Sequence, residues 1–195
     1  MLDMSDAPAF LRRLQGFLAR GPMEQLSALP APGRAAAVAA APVAADFWGF
    51  GVAQEASGAG PAQHEEFILE HQLPYLDRFG LVACGCCEPC TREFEMLKWR
   101  ISRLRRVSVS PWCDISAAAE ALGDRYVFSW KPNPAVLADR FDPDHVRMYL
   151  RDALDRTRGC RLEIVPKDTF TVQGDARRFV EWTCIAREEI DRAMG

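Results

Sequence analysis

At 195 residues, 49% hydrophobic and 26% charged, the chain has a globular composition and the length to bury one sizeable core. A formal net charge of -3 excludes a bulk electrostatic pull toward nucleic acid or anionic membranes. The most apolar stretch, the alanine-rich run from Arg34 to Asp46, is broken by Pro42 and falls far short of the ~20 residues that cross a bilayer.

The N-terminus lacks the basic-then-apolar order of a signal peptide. The chain therefore reads as cytoplasmic, where thiols stay reduced and clustered cysteines point to metal or catalysis before disulfides. Over residues 5–28, Phe10, Leu11, Leu14, Phe17 and Leu18 recur at helical spacing. An Ala/Pro-rich connection follows, so residues 1–45 read as N-terminal helices with a linker and 46–195 as the main domain. A Gly/Ala-rich loop is expected over 56–63. His64 and His71, seven apart on a predicted helix, read as packed or solvated.

Beyond His64 the pattern alternates. Strands are predicted over 80–85, 105–111, 125–132 and 160–168, with a further candidate at 46–54. Between them, Asp114 or Ser116 caps a helix that ends before Gly123. Asp142-Pro143 opens another, in which Val146, Leu150, Ala153 and Leu154 share a face and which Gly159 ends. Asp175 opens the last, carrying Phe179, Val180, Thr183, Ile190 and Met194. The basic run Lys98–Arg106 reads as a solvated helix face. Trp112 is read first as core and second as a ring that stacks on substrate. Cys160 and Cys184 read as core.

Alternating strands and helices make a parallel sheet. No GxGxxG or P-loop opens any of the helices, so no nucleotide cofactor is expected. Polar and reactive residues gather at the carboxyl ends of the strands, as in a (β/α) barrel. A full barrel takes ~250 residues, and four to five strands are found. The fold class is therefore α/β, a partial (β/α)8 TIM-type barrel whose two open edges predict self-association.

The densest chemistry is CGCCEPC, residues 84–90. Thiolates and a carboxylate suit zinc, so Cys86, Cys87 and Glu88, with Cys84 or Cys90, form one candidate ligand set. Inert packed cysteines and an iron–sulfur cluster are the other readings. Lys131 and the pair Lys167-Asp168 stand at strand ends as anion-binding or acid/base groups, or as rim ion pairs.

LVACGCCEP (81–89), the block VSVSPWCDISAAAEALGDRYVFSWKPNPAVLA (107–138), and the closing ARRFVEWTCIAREEI resemble the uroporphyrinogen decarboxylase-like superfamily, which includes cobamide-dependent methyltransferases. The likeness runs from about Asp46 to Ala193 and covers the C-terminal half of that barrel. It is nearest to a branch in which WGFGEAQE, YGCCEP, ISVSPW, FSWKPNP and KDTHT recur. The resemblance implies a shortened relative of zinc-dependent methyltransferases or decarboxylases acting on a small or tetrapyrrole-related substrate, with zinc as cofactor and a corrinoid protein as a partner. Lys131 and Asp168 would be catalytic, and Trp112, Ser129, Trp130, Asn133 and Lys167 would bind substrate. Departures are visible: Val82 stands where the methyltransferases place a histidine ligand, and Phe170 and Val172 where the branch carries His and Cys. A non-catalytic metal- or thiol-binding half-barrel, or an inactive remnant, is the alternative.

Overall fold

A computed structural model describes residues 4, 6–28, 44–52, 54 and 58–195. Most of the Ala/Pro-rich connection and part of the 56–63 loop lie outside the described residues. Five parallel strands form one sheet in the order β1-β2-β3-β4-β5, flanked by helices. The parallel α/β class read from the alternating pattern is therefore observed, including the fifth strand at its N-terminal side. Among the described residues the first and last strands each have one pairing neighbour, which leaves two edges. Among the described residues no helix is long and apolar enough to cross a membrane.

The chain divides into two compact units. One takes the residues up to Cys86 together with Arg92–Val107, and the other takes Cys87–Thr91 together with Ser108–Gly195. The first contains α1 (Pro8–Ala28), β1 (Ala44–Gly51), α2 (Pro61–His64), a π-helical turn (Glu65–Leu69), α3 (Glu70–Leu76), β2 (Phe79–Cys84) and α4 (Phe94–Arg100). β3 (Leu104–Val109) begins in this unit. Its core is built from Phe67, Leu69, Leu76, Val82, Phe94, Leu97 and Val107. β1 approaches β2 closely because Gly49 has no Cβ: one placed there would lie 2.6 Å from the Phe79 ring.

The helical face predicted for α1 is not its buried one, since Phe10, Leu14, Phe17 and Leu18 are exposed. α1 instead meets α3 and the π-helical turn through Arg12, which pairs with Glu66 and lies over the Phe67 ring. The π-helical turn also interrupts the helix predicted between His64 and His71, so the two histidines belong to separate helical segments.

The second unit holds the end of β3, then α5 (Ile115–Leu122), β4 (Val127–Trp130), α6 (Ala135–Ala138), α7 (Pro143–Arg156), β5 (Arg161–Ile164) and α8 (Arg177–Met194). Its helix starts follow their sequence signals. The Asp114 side chain accepts from the Ser116 and Ala117 amides at 2.9 and 3.1 Å. Asp142 does the same for Asp144 and His145, with Pro143 in the first turn. Gly123 and Gly159 stand at φ 51° and 88°, the left-handed conformations that glycine accepts without strain.

Val146, Leu150 and Ala153 are buried as the α7 pattern requires. α8 differs from expectation. Its buried face is Trp182, Ile185, Ala186 and Glu189, while Phe179, Val180 and Met194 are exposed, and Cys184 with them. A carboxylate displaces the expected apolar stripe because α7 supplies its partners. Glu189 is 2% exposed. It accepts hydrogen bonds from Arg147 at 3.1 Å, from Arg151 at 2.8 Å and from Arg192 at 2.8 Å.

Candidate functional site

The strand ends of the second unit bring together four residues that the sequence left scattered. The Lys131 ammonium, just past β4, lies 3.9 Å from Cys87 Sγ and donates to it. Past β5, Lys167 Nζ pairs with Asp168 Oδ2 at 2.9 Å. Asp168 sits at φ 33°, an uncommon conformation for a residue with a Cβ.

Asp168 also hydrogen-bonds the Cys87 thiol. The electrostatics are reciprocal. Lys167 and then Cys87 hold the Asp168 carboxyl below the usual carboxylate range. Partial burial and the Asp168 carboxylate push the Cys87 thiol up, against the opposing pull of Lys131 and Lys167. Burial draws Lys167 down, but its bond to Asp168 and the nearby Cys87 and Glu88 raise it overall. The group is a neutral thiol held by a carboxylate and flanked by two ammoniums; Cys87, Lys131 and Lys167 are partly buried and Asp168 is exposed. It can bind an anion and move a proton at one sulfur.

The other predicted substrate residues are placed as follows. Ser129 and Trp130 are buried, and the Trp130 ring packs 5.3 Å from Tyr149. The Asn133 amide donates to Tyr149 Oη, and its side-chain oxygen accepts from the Ala135 amide at 3.0 Å, which fixes the entry to α6. Trp112, read first as core, is 56% exposed. Its amide is held by Ser110 Oγ at 3.1 Å, which keeps the turn in place without burying the ring. Phe170 is almost fully exposed.

A pair of sulfurs lies beyond the end of β3. Cys113 Sγ and Cys90 Sγ are 3.9 Å apart. The Cys90 amide donates to Cys113 Sγ at 3.3 Å, and Cys90 Sγ donates to the Ser108 carbonyl at 3.4 Å. The neighbouring residues repeat the attachment, with the Asp114 amide donating to Thr91 Oγ1 at 3.2 Å. The Cys90 side chain, its amide and Ser110 lower the Cys113 thiol to about 6, against the opposing effect of burial. Nothing in the sequence pairs Cys113 with Cys90, 23 positions earlier.

The cysteine run divides between the two units, Cys84 and Cys86 in the first and Cys87 and Cys90 in the second. Cys84 ends β2 and is buried, which pushes its thiol up to about 12. Cys86 and Glu88 are half-buried. None of the seven cysteines is bridged. Among the described residues, no group of three or more His, Cys, Asp or Glu side chains is placed to hold a metal ion. Around Cys87 two ammoniums oppose a dication, and Cys90 is turned to Ser108 and Cys113. Within the second unit, Cys87 and Cys90 as arranged do not fit the zinc implied by the resemblance. No family model, curated protein or solved structure matches the chain.

Proposed function

We propose that the chain is a uroporphyrinogen decarboxylase-like enzyme acting on a small carboxylated substrate at the group Cys87, Lys131, Lys167 and Asp168. The observation that carries this reading is one thiol, hydrogen-bonded to a carboxylate and set against two lysines that follow the parallel strands β4 and β5. Lys131 and Lys167 neutralise substrate carboxylates and stabilise the charge that develops when a carbon–carboxylate bond breaks. Carbon dioxide leaves and the electron pair stays on carbon. Cys87, kept protonated by its surroundings and oriented by Asp168, delivers its proton to that carbon, and the resulting thiolate recovers one from solvent. No step runs through a metal.

The test is titration calorimetry and carbon dioxide release with the full chain, over a panel from small monocarboxylates to carboxylated porphyrinogens. Lys131→Met or Lys167→Met should weaken binding about tenfold, the order of one lost charge-assisted contact. Cys87→Ser should bind as well as the parent and release no carbon dioxide. Absence of binding anywhere in the panel, or binding unchanged in both lysine variants, overturns the reading. A second reading, a non-catalytic thiol-binding half-barrel, draws support from the exposed Phe170 standing where the branch carries histidine. It predicts binding without turnover in the parent chain.

A further inference from the structure

We infer that Cys90 and Cys113 form a dithiol that exchanges with low-molecular-weight disulfides, Cys113 attacking and Cys90 resolving. Neither sulfur belongs to the Cys87 group, so this inference stands apart from the carboxylate reading. Three geometric facts carry it. The two sulfurs are in contact at 3.9 Å, against about 2 Å in a disulfide. The two are unequally accessible: Cys113 is half-buried, while Cys90 is 7% exposed. The incoming disulfide therefore meets Cys113 first, and the resolving sulfur waits behind it. One donor is also arranged for a Cys113 thiolate, since the Cys90 amide points at Sγ from 3.3 Å. Two bonds, one at residue 90 and one at residue 91, hold the backbone segments together and keep the sulfurs in register.

The exchange balances in two steps. The Cys113 thiolate attacks one sulfur of a disulfide RSSR. That bond breaks, a Cys113–SR bond forms, and RS⁻ leaves to take a proton from solvent. Cys90 then loses its proton to solvent and attacks Cys113 Sγ, and the second RS⁻ departs. Two electrons pass from the protein thiols to RSSR, giving one protein disulfide and two RSH.

The test uses the fully reduced full-length chain and oxidised glutathione at a series of glutathione ratios. The reaction is quenched in acid, alkylated, and mapped by peptide fragmentation. The expected result is the loss of two thiols per chain, with the bridge located at Cys90–Cys113. Cys90→Ser should stop at a glutathione adduct on Cys113, and Cys113→Ser should form bridge or adduct at least tenfold more slowly. A bridge between other cysteines overturns the inference, as does a Cys113 that stays alkylatable while others oxidise. The map of the unsubstituted chain decides the matter even where a variant folds poorly.

Discussion

Cys113 offers a quantitative test of how partners set a thiol's acidity. Its ordinary value of 9.0 falls to about 6, with the Cys90 side chain as the largest cause. At pH 7 a thiol near 6 is ~90% thiolate, against ~1% for one near 9. Nucleophilicity falls with basicity at a slope of about 0.4–0.5, so the three-unit drop makes each thiolate roughly twentyfold less reactive. The net expectation at pH 7 is alkylation about four- to fivefold faster than at an unperturbed cysteine. The shape of the profile is a better discriminator than the rate. The Cys113 rate should level off above about pH 7, where an ordinary cysteine keeps gaining. Iodoacetamide labelling from pH 4 to 10, read peptide by peptide, measures this with the other cysteines as internal controls. Cys90→Ala removes the largest cause and should move the Cys113 midpoint up by about one to two units, the equivalent of one hydrogen bond to a charged group. Cys90→Ser keeps a donor and should move it less. A parent midpoint near 9, or a Cys90→Ala midpoint unchanged near 6, refutes the reasoning.

Other expectations follow from individual contacts. Glu189→Ala leaves three guanidiniums facing a buried gap; because Arg147, Arg151 and Arg192 reach solvent, the cost is about 1–3 kcal/mol rather than the larger loss of a fully buried pair, and chemical denaturation should show it. The same arginines, Arg151 first, hold the Glu189 carboxyl well below its ordinary range. Its contribution is therefore present above the unfolded carboxyl's range and is lost only as pH falls toward the depressed folded value, so acid melts of Glu189→Gln should lose that part of the slope. Cys84, held at about 12 by burial, should resist labelling in native protein at neutral pH and react once the chain is denatured. Asp142→Ala removes both side-chain bonds at the start of α7 and should cost about 1 kcal/mol in the same denaturation assay.

The sheet was legible because its signals are local and periodic. Apolar runs separated by capped helices have few ways to pack other than as parallel strands, and Asp114, Asp142, Gly123 and Gly159 punctuate the helices where the chain bends. The buried face of α8 was not legible. An apolar-stripe rule has no place for Glu189, which becomes buriable only because α7 brings Arg147 and Arg151 to it. Asn133 and Trp130 stand at a strand end, and the contact of each with Tyr149 was likewise not legible. Lys131, Lys167 and Asp168 lie just past strand ends, where the alternating pattern places them. What joins them is Cys87, which the sequence assigned to a different constellation.

That reassignment has a backbone cause. Seven residues with four cysteines look like one cluster only if the chain folds back on itself there. Instead β2 runs straight to Cys84, and Gly85, at φ 118°, turns the chain in a conformation other residues rarely adopt. Beyond the turn, Cys87 is committed to Lys131 and Asp168, and Cys90 to Ser108 and Cys113. Neighbours in sequence thus acquire different partners and different chemistry. Cys84, inside the dense run, is held at about 12, whereas Cys113, with no cysteine near it in sequence, is lowered to about 6. Thiol acidity in this chain follows the burial of each sulfur and the donors that reach it; the density of cysteines along the chain does not predict it.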